Sequence, residues 1–303
     1  MKVVYFGTPE FAAEILEVLV KAKVEIVAIV TKPDAPQGRS LKITPPPVAL
    51  RAKALDLSVP ILQPEKCSTP EMIEALKHYH ADLFVVVAYG EILSQHLIDV
   101  PKFGAVNVHP SLLPLYRGAA PIQRALLNGE KETGVSIIRL VRKMDAGDVL
   151  YEEKIEILPE MDAGELESAL CKLGAKCLLK VIDDFERGTP TFTPQDSAKA
   201  TFADKITASD CHLDFTKPAK MLQNQIRALS PSPGAWCHVM VRNEKKRLKV
   251  YRAEVVADQE KNCLTVPCQQ GFLKLKTIQL EGKPKMSCDE FLKGIPASQI
   301  SFC

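Results

Sequence analysis

Asn107, His109 and, 36 residues further along, Asp145 are three side chains whose types could carry an acyl transfer to an amine. An amide donates to a developing oxyanion, an imidazole manages protons, and a carboxylate fixes the imidazole tautomer. With an amine as the attacking group, no nucleophilic side chain is required.

The elements that must position these groups read as an α/β sheet. Residues 103–108 form a short apolar run that breaks at His109-Pro110-Ser111, and open α/β sheets place their chemistry at the carboxyl ends of parallel strands. Residues 3–6, 26–30, 83–88, 105–108 and 135–140 have strand character. Residues 9–22 form an amphipathic helix for which Thr8 is the expected N-cap and Pro9 the first helical residue. Residues 165–185 repeat apolar positions at helical spacing and should pack on the sheet. The alternation predicts a doubly wound, mostly parallel, Rossmann-like domain over residues 1–188.

After Gly188 the run Thr189-Pro190-Thr191-Phe192-Thr193-Pro194-Gln195 cannot continue a helix, so residues 189–207 read as an ordered linker. Residues 208–303 hold a short helix near 218–229, then strand-like runs at 236–241, 248–256, 263–266 and 272–279. That pattern suggests a small β-barrel, although periodicity alone does not separate a barrel from a sandwich.

Several further motifs are ambiguous on residue types alone. Gly7-Thr8-Pro9 follows the first strand with one glycine where a dinucleotide site needs three, so this turn is either a helix start or a substrate contact, with Phe11 in the core or near the ligand. Val87-Ala88-Tyr89-Gly90-Glu91-Ile92-Leu93 ends a buried strand with peptide groups that could bond a flat heterocycle, or with a plain turn. Asp145-Ala146-Gly147-Asp148 has ordinary turn composition and lacks the spaced ligands of a calcium loop. Arg117 could meet an anion, but a structural pairing with a carboxylate is the favoured reading. No set of residues has metal-ligand spacing.

Composition sets the outer bounds. A 46% hydrophobic content with mixed charges marks a globular chain long enough for two domains. No apolar run could cross a bilayer and Met1-Lys2 leads directly into a strand, so a cytoplasmic protein without a membrane partner is expected. Nine scattered cysteines without a C-x-x-C pair fit reduced thiols. The net charge of +2 conceals an asymmetry: residues 1–204 carry 23 Lys and Arg against 28 Asp and Glu, and residues 205–303 carry 16 against 9. A basic second half suggests an anionic partner or a solvated face.

The stretch Asn107-Val108-His109-Pro110-Ser111-Leu112-Leu113-Pro114-Leu115-Tyr116-Arg117-Gly118 resembles the signature of formyltransferases that use 10-formyltetrahydrofolate. Gly7 to Ala12, Lys32-Pro33-Asp34 through Gly38-Arg39, Val87 to Gly90, Gly118 to Arg124 and Arg227 to Pro231 narrow the resemblance to the methionyl-tRNA formyltransferase family, in order and over essentially the whole chain. The resemblance implies formyl transfer from 10-formyltetrahydrofolate, as cosubstrate, to the free α-amine of initiator methionyl-tRNA, with protonated His109 and Asn107 stabilising the oxyanion and Asp145 holding His109. It implies an oligonucleotide-binding-like barrel at the C-terminus and no metal, and we expect a monomer. Folate contacts would come from Val87, Ala88, Tyr89, Gly90, Ile92, Leu93, Ser111, Leu112, Leu113, Pro114 and Gly147, and aminoacyl contacts from Gly7, Thr8, Pro9 and Phe11.

For the tRNA, the resemblance makes residues 32–47 the insertion that enters the acceptor arm, with Arg39 and Lys42 as its charges. Ser40-Leu41 interrupts what would be a denser basic run, leaving more of the task to Arg39. Lys245, Lys246, Arg247 and Lys249 are the densest basic cluster of the second half, a phosphate-binding set or a solvated turn. Other readings are formylation of a nucleotide-linked amino sugar, hydrolysis of the donor by an uncoupled domain, or a non-catalytic tRNA-binding protein on the same scaffold.

Overall fold

The first strand and the strand that follows residue 82 are apolar at every buried position, as strands covered on both faces must be. The structure, a computed structural model, describes residues 1–37, 41–260 and 263–302. In chain order the elements are β1 (Lys2–Gly7), α1 (Glu10–Lys21), β2 (Glu25–Val30), β3 (Ala35–Gln37), β4 (Lys42–Thr44), α2 (Pro47–Ala54), β5 (Ile61–Leu62), α3 (Pro70–Lys77), β6 (Leu83–Val87), α4 (Gln95–Ile98) and β7 (Ala105–His109). Then come β8 (Arg117–Gly118), α5 (Pro121–Leu127), β9 (Glu132–Arg139), β10 (Val149–Glu156), α6 (Ala163–Glu186) and β11 (Phe202–Ala203). The chain finishes with α7 (Ala219–Ala228), β12 (Ala235–Val241), β13 (Glu244–Val256), β14 (Thr265–Pro267), β15 (Phe272–Leu280), β16 (Met286–Ser287), α8 (Cys288–Gly294) and β17 (Ile300–Phe302).

Contacts divide these elements into two units. One takes in Met1–Gly118, Thr133–Ile155 and Glu167–Phe202; the other takes in Ala119–Glu132, Glu156–Leu166 and Ala203–Cys303. The units therefore interleave in sequence.

The first unit is built on a seven-stranded sheet of order β10-β9-β7-β6-β1-β2-β5. β1 pairs in parallel with both β2 and β6, β6 with β7, and β2 with β5, while β9 runs antiparallel to β7. The doubly wound expectation holds. Strand order reverses at β1, because the chain builds outward to β2 and β5 on one side and to β6 and β7 on the other. The crevice between the carboxyl ends of β1 and β6 is thus the topological switch point, where such sheets bind ligands.

Val4, Phe6, Phe84 and Val86 are buried in one cluster with Tyr89 and Leu97, and the Phe6 ring lies 5.0 Å from Phe84 and 5.7 Å from Tyr89. Each such side chain contributes about 1.5–3 kcal/mol by leaving water. α6 crosses the sheet with Leu170, Leu178, Val181, Ile182 and Phe185 buried. It approaches closely at Gly174, where a Cβ would stand 3.0 Å from Val108 of β7.

The N-terminal cap differs from expectation. α1 starts at Glu10 with Pro9 as its N-cap, and the Thr8 hydroxyl donates instead to the Tyr89 carbonyl at 2.9 Å. Thr8 is drawn across to the neighbouring strand end, so no side chain caps this helix.

In the second unit β14-β15-β13-β12-β17, with β16 beside β15, form a nearly closed antiparallel barrel rather than a sandwich. Alternate residues of β12 (Ala235, Cys237, Val239 and Val241) point into one core with Leu248, Val250, Leu273, Leu275 and Ile278. No helix among the described residues is long and apolar enough to cross a membrane.

Candidate active site

β7 ends at His109, and its period of two puts Asn107 and His109 on one face. Asn107 is half-buried, whereas His109 is 3% exposed. The His109 Nε2–H donates to the Tyr116 carbonyl at 2.9 Å; because a carbonyl only accepts, this contact requires the proton on Nε2. The other nitrogen, Nδ1, faces Asp145 Oδ2 at 3.7 Å, outside direct hydrogen-bond reach.

One expectation changes here. The tautomer of His109 is set by the Tyr116 carbonyl and not by Asp145. Burial pushes the pKa of the imidazole below the ordinary value, against the opposing Asp145 charge and Tyr116 carbonyl.

Asp145 is held independently of the histidine. Its Oδ2 accepts the Gly118 N–H at 2.8 Å, and its backbone is left-handed at φ 47°, a conformation Asp tolerates better than most residues. It lies in the loop between β9 and β10, neighbours in the sheet. Gly147 two residues on is required by packing, because any Cβ there would collide with the Arg139 carbonyl oxygen. Its expected folate role is qualified by this burial: the Gly147 carbonyl is already engaged by the Gln195 side chain.

Tyr116-Arg117-Gly118 therefore serves both members of the pair, Tyr116 through its carbonyl and Gly118 through its N–H. Arg117 is 1% exposed and pairs with Gln195 rather than a carboxylate, its Nε and Nη2 donating to Gln195 Oε1 at 3.1 and 2.7 Å. Ser111 donates to the Leu115 carbonyl at 2.7 Å, and Ser136 ties the loop by donating to the Ser111 carbonyl and accepting from the Leu113 N–H.

The remaining expected contacts cluster at the carboxyl edge of the sheet. Gly7 of β1 pairs with Val87 of β6, so the turn Thr8-Pro9 and the segment from Ala88 to Leu93 leave side by side at the switch point. Ala88 and Gly90 are exposed with left-handed backbones, φ 45° and 87°, and Ile92 is 72% exposed. Tyr89, Leu93 and Leu113 are buried, while Leu112 and Pro114 are half-buried. Phe11 belongs to the core. Lys32 bonds Glu91 at 2.5 Å beside this edge, and Glu91 also accepts the Cys67 N–H.

Among the described residues, the buried thiols Cys67 and Cys171 are poor nucleophiles. Burial pushes Cys67 and Cys171 up to about 12, far from a thiolate at neutral pH.

Residues 35–37 and 42–44 form a two-stranded antiparallel hairpin, so the expected loop has structure of its own. Lys42 is exposed at the start of β4, and two apolar neighbours, Leu41 and Ile43, are 71% and 67% exposed. Arg39 lies outside the described residues.

The basic cluster lies on a strand, not in a turn. β13 begins at Glu244, and its alternation puts Lys245, Arg247 and Lys249 on the outer face beside Met240, His238 and Trp236 of β12. Lys246 points to the other face and pairs with Glu244 at 2.8 Å. Arg247 stacks over Trp236 at 4.5 Å, and desolvation together with the Lys245 and Arg247 charges pushes His238 below its ordinary pKa.

Two of the residues that complete this picture had no sequence signal. Gln195 sits in a Thr/Pro-rich run that reads as a connection, and Trp236 is visible only as a barrel strand residue.

Residues 1–182 match the formyl transferase family and residues 205–296 its C-terminal domain. A methionyl-tRNA formyltransferase of Protochlamydia amoebophila is 48% identical, covering 100% of this chain and 98% of that protein. One from Listeria monocytogenes is 42% identical over 97% of this chain and 95% of its own. Among solved structures, WlaRD, a sugar 3N-formyl transferase in the presence of dTDP and 5-N-formyl-THF, superposes with a TM-score of 0.66 at 20% identity, over 94% of this chain and 99% of that one, and shares the fold.

Proposed function

The chain belongs to the methionyl-tRNA formyltransferase family of formyl transferases, and from that footing we propose that it moves the formyl group of 10-formyltetrahydrofolate to the free α-amine of methionine on initiator tRNA. The observation that carries the reading is full-length similarity at 48% identity together with an intact Asn107, His109 and Asp145.

The neutral amine attacks the formyl carbon and forms a C–N bond. The carbonyl oxygen takes the charge and accepts a hydrogen bond from the Asn107 amide. Since Nε2 of His109 is committed to Tyr116, His109 exchanges protons through Nδ1: it takes one from the attacking nitrogen, directly or through a water, and becomes an imidazolium facing the Asp145 carboxylate. Collapse breaks the bond between the formyl carbon and N10, and the same proton passes to N10 of the leaving tetrahydrofolate. Holding both substrates at one sheet edge supplies much of the remaining acceleration.

The donor would lie along Val87, Ala88, Tyr89, Gly90, Ile92 and Leu93 and against Ser111, Leu112, Leu113 and Pro114. Exposed peptide groups at Ala88 and Gly90 suit the hydrogen-bonding edge of a pterin, and the exposed Ile92 suits its apolar faces. The aminoacyl end would meet Gly7, Thr8 and Pro9, with Phe11 shaping the floor from within the core. Arg39, Lys42 and the outer face Lys245, Arg247 and Lys249 would hold tRNA phosphates, with Leu41 and Ile43 offering apolar contact to the terminal bases.

The test is transfer of label from 10-formyltetrahydrofolate to methionyl-tRNA, free methionine and a nucleotide-linked amino sugar in parallel. Label in the tRNA alone supports the reading. Label in the amino sugar reassigns the substrate, and no transfer to any acceptor removes the activity.

A further inference from the structure

The loop that presents Asp145 is held by a side chain 50 residues away. The Gln195 amide nitrogen donates to two carbonyls of this loop, that of Asp145 at 2.9 Å and that of Gly147 at 2.6 Å. Its amide oxygen accepts from both Nε and Nη2 of Arg117. Every hydrogen-bonding direction of the Gln195 amide is thereby assigned: two donors to the loop, and two acceptor positions to one guanidinium.

Arg117 is almost fully enclosed, which by itself would be costly without a partner. It sits between Tyr116, whose carbonyl takes the His109 Nε2–H, and Gly118, whose N–H binds Asp145 Oδ2. Movement of Arg117 would therefore displace both partners of the His109–Asp145 pair together. The left-handed φ of 47° at Asp145 and the close approach of Gly147 to the Arg139 carbonyl fix the course of this loop.

We propose that Gln195, clamped by Arg117, is a positioning residue that sets the Asp145 carboxylate against His109 Nδ1 and so acts on the formyl-transfer step through the catalytic loop. The inference rests on Asp145 being the catalytic carboxylate. Gln195 itself need touch neither substrate: its side chain is spent on Arg117 and on two carbonyls.

Gln195→Glu separates this role from simple packing. A carboxylate of the same size keeps the pairing with Arg117 but cannot donate to the Asp145 and Gly147 carbonyls while ionised. The full chain is assayed as wild type, Gln195→Glu, Asp145→Ala and the double variant, with kcat, the KM for 10-formyltetrahydrofolate and the unfolding midpoint measured for each. The expected result is a drop in kcat of about tenfold to a hundredfold in Gln195→Glu, the scale of a catalytic group misplaced by a fraction of an ångström to an ångström. KM for the donor stays within about twofold, and the added loss in the Asp145→Ala background falls below about threefold, because two residues acting through one group are not additive. Gln195→His, which can still donate one hydrogen bond, should recover part of the rate.

A Gln195→Glu kcat within about twofold of wild type, beside a large loss in Asp145→Ala, overturns the positioning role and leaves the catalytic reading standing. The same full Gln195→Glu loss with and without Asp145 overturns it too, by showing that Gln195 acts elsewhere. If Asp145→Ala itself leaves kcat intact, the failure belongs to the catalytic assignment. Should Gln195→Glu unfold, Gln195→Met, which lacks the same two donations, carries the comparison in its place.

Discussion

His109 donates its Nε2–H to the carbonyl oxygen of Tyr116 at 2.9 Å, and this one contact decides how the imidazole can work. With Nε2 occupied, Nδ1 is the only ring nitrogen left for proton transfer, and it faces a carboxylate that cannot donate to it. The resting site is a neutral base beside an anion, ready to be stabilised once protonated.

The pH dependence follows. Burial holds the His109 pKa below its ordinary value of about 6.5, so the base form predominates at neutral pH and is lost as pH falls through the folded value. The kcat/KM profile, which reports the free enzyme, should be flat near pH 7 with an acidic limb falling below about 6.5. Stability has the same sign: between the ordinary and the lowered pKa the unfolded chain binds the extra proton, so this contribution is full above the unfolded pKa and is lost on acidification through that window. A rate that instead rises on acidification below neutral would show that the imidazolium is the active form.

On the proposed mechanism, Asn107→Ala removes a donor to charge that exists only in the transition state. The kcat should fall by about a hundredfold or more, with donor affinity nearly unchanged. The separate losses at Asn107, His109 and Asp145 should sum to far more than the loss in a variant lacking all three. Equilibrium binding of tetrahydrofolate beside steady-state kinetics distinguishes this from a damaged pocket.

Gly147→Ala puts a methyl group into the Arg139 carbonyl. The loop or the strand must shift, at a cost of about 1–3 kcal/mol in stability. The midpoint of denaturant unfolding should drop, and kcat should drop with it because Asp145 rides on the same loop. An unchanged midpoint would mean that the loop has room the structure does not show.

The outer face of β13 makes a prediction that its neighbour on the other face does not share. Removing Lys245, Arg247 or Lys249 one at a time should flatten the plot of log tRNA affinity against log salt by roughly one unit or less each. Lys246→Gln, on the opposite face and already paired with Glu244, should leave the slope unchanged. Equal effects from Lys245 and Lys246 would place the RNA contact elsewhere on the barrel.

Much of this was legible in the chain because the central strands are apolar at consecutive positions and the main helices are periodic. β1, β2, β6, β7, α6 and the longer barrel strands lie where patterning puts them, and Asn107-Val108-His109 falls at a strand end as expected. Local signals fared worse where a distant partner intervened. Thr8 has the composition of a cap, but the Tyr89 carbonyl competes for its hydroxyl. β10 carries Glu152, Glu153, Lys154 and Glu156 and reads as polar until its place at the sheet edge is known. The lysines before Leu248 look like a turn because nothing local reveals the pairing with β12. The tautomer of His109 and the grip of Gln195 on the Asp145 loop depend on backbone atoms, and backbone atoms have no sequence signature.

On the proposed mechanism His109, with Asp145 behind it, performs the proton transfer of formyl transfer to methionyl-tRNA. A single-turnover experiment reads that step: enzyme in excess, with both substrates bound, and the rate of formyl appearance on the tRNA followed in wild type and in His109→Ala. Chemistry is then isolated from binding and release. His109→Ala should bind both substrates and transfer at least about a hundredfold more slowly, the lower end of the range for a lost general base. A single-turnover rate within a few-fold of wild type, with both substrates bound, would take the proton transfer away from His109.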